Sequence, residues 1–136
     1  MLVLDTNALL WLSGGSERLG AQSRAAIQAG INRGEAAFSA ISVWETAMLV
    51  RKGRYVLGQA VEAWRADLIA VGLAEAPLDG IVAAQAVALA DLPDDPADRF
   101  IAALSLRRGA TLVTSDDKLI GWAARTKGAQ AMDAKK

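Results

Sequence analysis

Short apolar runs alternate with helix-length segments along the whole chain, and that alternation limits the possible folds more than any other feature. Leu2-Val3-Leu4, with Met1, fits a buried strand ending at Asp5. Ala36 to Ser39, Leu73 to Ala76, Thr111 to Thr114 and Ala129 to Met132 fit further short strands. Between them the pattern predicts helices over 8–12, 22–33, 43–52, 59–71, 81–90, 96–108 and 117–125, with glycines at 34, 53, 72 and 109 as stops. Strands separated by helices imply right-handed crossovers and a parallel sheet covered on both faces. The expected fold is therefore α/β: a three-layer α/β/α sandwich around a central parallel sheet of four or five strands. With 136 residues the chain fits a single domain over 1–136, its last residues 133–136 read as a frayed tail.

Composition then narrows the chemistry. The chain has no Cys and no His. Disulfides, zinc–thiolate sites, thiol nucleophiles and histidine bases are all excluded. Lys+Arg and Asp+Glu both total 15, so no bulk positive charge attracts nucleic acid or an anionic membrane. No apolar stretch approaches the ~20 residues needed to span a bilayer. The N-terminus lacks a basic region and a cleavage site, so the reading is a cytoplasmic protein with no membrane partner.

In an open parallel sheet, ligands bind beyond the carboxyl ends of the strands. Asp5 follows the first expected strand, Glu45 lies early in the helix after the second, Asp98 opens the helix leading to the fourth, and Asp116 follows the fourth. Each has a structural explanation. Asp5 and Asp116 can cap helices. Ser42-Val43-Trp44-Glu45 matches a capping box with Ser42 as N-cap. Asp95, before Pro96, can cap the helix that carries Asp98. Yet acids gathered in one cleft raise one another's pKa unless a cation offsets them. An all-oxygen donor set suits Mg²⁺ or Mn²⁺. Such an ion lowers the pKa of a bound water and neutralises charge on phosphate oxygens.

Four segments carry a resemblance. Val3-Leu4-Asp5-Thr6-Asn7-Ala8-Leu9-Leu10-Trp11, Ile41-Ser42-Val43-Trp44-Glu45, Asp95-Pro96-Ala97-Asp98-Arg99-Phe100-Ile101-Ala102-Ala103 and Leu112-Val113-Thr114-Ser115-Asp116 resemble, in order, the acidic motifs of PIN-domain ribonucleases, especially VapC-type toxins. The resemblance implies Mg²⁺- or Mn²⁺-dependent cleavage of RNA, with Asp5, Glu45, Asp98 and Asp116 as the catalytic, metal-holding quartet. It makes Thr6, Asn7 and Thr114 candidates for orienting those acids, and gives Asp95 a competing claim on the third position. It also implies a VapB-like antitoxin and a homodimer. Many relatives carry a histidine shortly before the third motif, where this chain has Leu92-Pro93-Asp94.

Arg99, directly after Asp98, is the best single candidate for contacting substrate phosphate, with pairing to neighbouring acids as the competing role. Arg51, Lys52 and Arg54, and Arg107 with Arg108, are expected to complement helix C-termini or to bind RNA. The four tryptophans read first as core. Trp11 and Trp64 have a second reading, as the lining of an antitoxin groove. Two alternatives stand beside the nuclease. A haloacid dehalogenase-like phosphatase also uses an Asp after the first strand, and Ser115-Asp116-Asp117 resembles its late motif; but Asn7 stands where its second Asp belongs. The other alternative is a catalytically inactive PIN-like interaction module.

Overall fold

The computed structural model describes residues 1–136. In chain order the elements are β1 (Leu2–Leu4), α1 (Thr6–Ser13), α2 (Ala21–Asn32), β2 (Ala36–Ser39), α3 (Ala40–Arg51), α4 (Val61–Ala70), β3 (Ala74–Ala76), α5 (Gly80–Ala88), α6 (Pro96–Arg107), β4 (Thr111–Thr114), α7 (Asp117–Arg125) and β5 (Gln130–Asp133). All five strands are parallel, in the order β3-β2-β1-β4-β5. The chain winds outward from β1 to β3, then crosses back to place β4 on the other side of β1. The carboxyl ends of β1 and β4 thus flank the switch point, where α/β sheets bind ligands.

Side chains alternate across the strands and sort into two cores. Val3 and Leu112 pack with Ile101, Leu119 and Trp122, contributed by α6 and α7, and with Val82 and Ala86 from α5. Leu4, Phe38 and Val113 pack on the opposite face with Leu9, Ile27, Trp64 and Leu68, from α1, α2 and α4. This is the expected three-layer sandwich. Each fully buried large side chain contributes about 1.5–3 kcal/mol. Trp64 and Trp122 belong to these cores, but Trp44 is 59% exposed, against the expectation that all four tryptophans pack inside. No helix is long and apolar enough to cross a membrane.

Two expectations change. The helix predicted from Val43 starts at Ala40, because Ser39 ends β2 and also caps α3, its hydroxyl accepting from the Ile41 N–H at 3.1 Å. Ser42 is therefore not an N-cap, and Glu45 lies one turn deeper than a capping box would put it. The tail expected to fray is tied down. Residue 133 still belongs to β5, and Ala134 is fully buried. Its N–H donates to Thr114 O at 2.8 Å, while Ala134 O and Lys136 O accept from the N–H groups of Gly20 and Gln22 at 2.9 Å. The contact is so close that a Cβ on Gly20 would lie 2.1 Å from the Lys136 carbonyl carbon.

Gly20→Ala has to push this backbone away. The expected result is a loss of about 1–3 kcal/mol in chemical denaturation, with faster amide exchange at 133–136 and at the start of α2.

Candidate functional site

The site grows from Asp5, where β1 ends. Its backbone N–H donates to Val113 O at 2.9 Å, continuing the pairing with β4. The side chain is only 5% exposed. Oδ1 accepts from the Thr6 N–H at 2.7 Å and caps α1. Oδ2 accepts from the Thr114 hydroxyl at 2.7 Å. Thr114, fully buried at the end of β4, also accepts from the Asp116 N–H at 3.0 Å through the same Oγ1. One hydroxyl thus links two of the acids. Asp116 in turn caps α7, accepting from the Lys118 N–H at 2.8 Å.

Thr6 connects Asp5 to α3. Its hydroxyl donates to Glu45 Oε1 and lies 2.9 Å from Ser42 Oγ in a hydroxyl–hydroxyl hydrogen bond. Ser42 and Glu45 are three residues apart on α3 and so share a face. Ser42 was expected only as a cap. No signal in the sequence marked its role beside Thr6, which follows from Ser39 taking the cap. Asn7, by contrast, is exposed and makes no side-chain hydrogen bond.

Asp98 lies in the first turn of α6, half-buried, and its N–H donates to the capping Asp95 Oδ1 at 3.2 Å. Asp95 is exposed, but its charge reaches Asp5, Glu45 and Asp98. The acids therefore form one electrostatic unit. Burial pushes the Asp98 carboxyl up to about 7, and Asp95, Asp5, Asp116 and Glu45 add to the rise. Burial also raises Asp5, opposed by the bonds from Thr114 and Thr6. It raises Glu45, opposed by the bond from Thr6. None of these acids pairs with a basic side chain: the ion pairs of the fold join Arg33 to Glu35, Arg65 to Glu75, Arg99 to Asp94 and Lys135 to Asp117.

That imbalance fits a divalent cation. The donors are all oxygen, and their mutual repulsion has no internal remedy. No three acids close on one point as a ready-made cage. Mg²⁺ does not need one, since it keeps several waters and takes one or two carboxylates.

The basic candidates lie elsewhere. The guanidinium of Arg99 is turned to main-chain carbonyls of residues 86–93 and to Asp94, so it is not free for substrate phosphate. Arg107 and Arg108 end α6 just before β4 begins, at the opposite edge of the sheet from the acids. Arg51, Lys52 and Arg54 are exposed at the end of α3. A cleft of about 660 Å³ is also remote from the acids; Leu12, Arg24, Gln28, Ile31, Trp64 and Asp67 are among its lining. Trp64 borders it from the core, only 2% exposed. Trp11 does not: its ring lies under Arg18, 4.8 Å from the guanidinium carbon to the ring centroid.

Residues 2–123 match the PIN domain family. Ribonuclease VapC22 of Mycobacterium tuberculosis is 39% identical over 119 residues, which cover 87% of this chain and 88% of that protein. Two solved structures share the fold at lower identity. The structure of VapBC2 from Rickettsia felis bound to a promoter DNA fragment has a TM-score of 0.69 at 16% identity, covering 97% of each chain. FitAB bound to an IR36 DNA fragment has a TM-score of 0.66 at 19% identity, covering 100% of this chain and 96% of the other.

Two outcomes follow from the geometry. An Asp98 pKa raised in the folded state means that the native protein binds more protons than the unfolded chain between about pH 4 and pH 7. With chelator present, the contribution of Asp98 to stability should be full below about pH 4, fall as pH rises to about 7 and then be lost; Asp98→Asn should flatten that part of the pH dependence in denaturant titrations. Thr114→Val keeps the shape but leaves Asp5 Oδ2 unpaired. It should cost about 1–3 kcal/mol in the same titrations.

Proposed function

The chain belongs to the PIN-domain family, and from that premise we propose that it is a Mg²⁺- or Mn²⁺-dependent endoribonuclease, the toxin of a VapBC-type pair. The observation that carries the proposal is the set of acids around Asp5 with no basic partner, at the switch point of the sheet. Asp5, Glu45, Asp98 and Asp116 are the groups that would hold the cation, one or two of them directly and the others through its waters. When bound, the ion supplies Lewis acidity and neutralises charge developing on the phosphate.

The remaining work falls to the protein. Thr114 and the Thr6 N–H fix both oxygens of Asp5, so its carboxylate is oriented before any ligand arrives. The Thr6 hydroxyl holds Glu45 in register with Asp5. The Asp98 carboxyl, pushed up to about 7, is suited to take or return a proton as water attacks the phosphodiester. Asp95 caps α6 and adds negative charge beside Asp98.

The curated relative acts as a ribonuclease, which supports RNA as the substrate. A VapB-like antitoxin is the proposed protein partner. The cleft beside Trp64 supports docking of an apolar segment of that partner. We further propose a homodimer acting in the cytoplasm. The family match leaves the phosphatase alternative without support.

The deciding experiment is cleavage of RNA with Mg²⁺ or Mn²⁺, with and without chelator. Chelator should abolish turnover, and Asp5→Asn or Asp98→Asn should lower it by roughly 10²-fold or more, while small phosphate esters stay intact. Undiminished cleavage by either variant would sink the assignment.

A further inference from the structure

A guanidinium has five N–H donors, and in Arg99 four of them are taken by main-chain carbonyls of the chain itself. Nε donates to Pro93 O at 3.1 Å. Nη1 donates to Ala86 O at 2.9 Å and Leu89 O at 3.1 Å. Nη2 donates to Leu92 O at 2.6 Å and pairs with Asp94 Oδ1 at 3.2 Å. Arg99 thus does for α5 what a C-terminal glycine does elsewhere. The helix ends at Ala88, and Leu89 turns away in extended conformation. The carbonyls left over at that end, and those of the connecting loop, are collected on one side chain.

The loop has little freedom left. Asp91 adopts a left-handed conformation, φ 59°, the only non-glycine residue to do so. Its carbonyl accepts from Arg125 Nη2 at 3.3 Å, and Leu92 is buried in the core. The next residue after the held stretch 89–94 is Asp95, whose charge is the strongest acting on Asp98.

We propose that Arg99 is a positioning residue for the divalent-cation site: by fixing the loop 89–94 it sets where Asp95 stands beside Asp98, and through that spacing it sets the affinity of the acids for the cation. The proposal rests on the acids being a cation site. It needs an arginine, because a lysine ammonium has three donors on a point charge and cannot span carbonyls spread around a plane. It also explains how an arginine adjacent to the acids leaves their charge uncompensated: four of its donors are committed to carbonyls of residues 86–93.

The test is Mn²⁺ binding, followed by the electron paramagnetic resonance signal of free Mn²⁺, with wild type, R99K, R99Q and D94A. Melting temperature is recorded for each. R99K and R99Q should bind Mn²⁺ roughly 10–100-fold more weakly, whereas D94A, which loses only an exposed ion-pair partner, should match wild type. R99K binding as tightly as wild type while melting lower would make the arginine a stability element only and overturn the proposal. Absence of Mn²⁺ binding by wild type would overturn the cation reading itself, a distinct result. Should the Arg99 variants fail to fold, amide exchange of wild type decides. Protection at 89–95 that is equal with and without Mn²⁺ supports the arginine lock. Protection gained only on adding Mn²⁺ overturns it.

Discussion

A carboxylate withdrawn from water needs donors aimed at it, and the way Asp5 obtains them organises the fold. One comes from the first turn of α1, which Asp5 caps; the other comes from Thr114 at the end of the neighbouring strand β4. Both depend on β1 and β4 being adjacent and in register, Leu4 opposite Val113. That adjacency exists only because the chain crosses back over the sheet between β3 and β4. Thr114 then sets the backbone of Asp116, and Thr6 sets Glu45. Three elements distant in sequence are tied together at one edge of the sheet by two threonine hydroxyls and one backbone N–H.

Much of this was legible in the sequence. Buried parallel strands read as short apolar runs, and β2 and β4 stand where those runs lie. Glycines and the Asp95-Pro96 step marked helix ends, since backbone conformation at those residues is a local property. Local signals failed where two candidates competed: Ser39 and Ser42 are both acceptable caps, and only the strand's end decides between them. They failed again for Arg99, because its partners are main-chain carbonyls, which carry no signature of residue type. The ordered tail was equally invisible. Its anchors are β4 and the start of α2, more than 100 residues away in the latter case, as the Ser23 hydroxyl bond to Asp133 O shows.

Zero net charge first argued against a nucleic-acid partner. It is a whole-chain average that says little about any one edge of the sheet. Acids collect at the carboxyl edge of the sheet, while Arg107 and Arg108 lie at the other edge. On the reading proposed here, the phosphate meets negative protein through an intervening cation, and the net charge of the chain has little bearing on that contact. The absent histidine matters more. On the same reading proton transfer falls to carboxyls, and burial among like charges brings one of them, Asp98, to about 7.

β2 passes into α3 without a single intervening residue, because Ser39 closes the strand and caps the helix at once. A seam of that kind has no slack. Glu45 is carried six residues beyond it on an unbroken helix, so its height above the sheet is fixed by helical rise rather than by a loop. The acidic face is thus built as a rigid bracket on this side, with no hinge by which a binding partner could draw Glu45 away from Asp5. Silencing such a face calls for a plug that covers it rather than a lever that opens it.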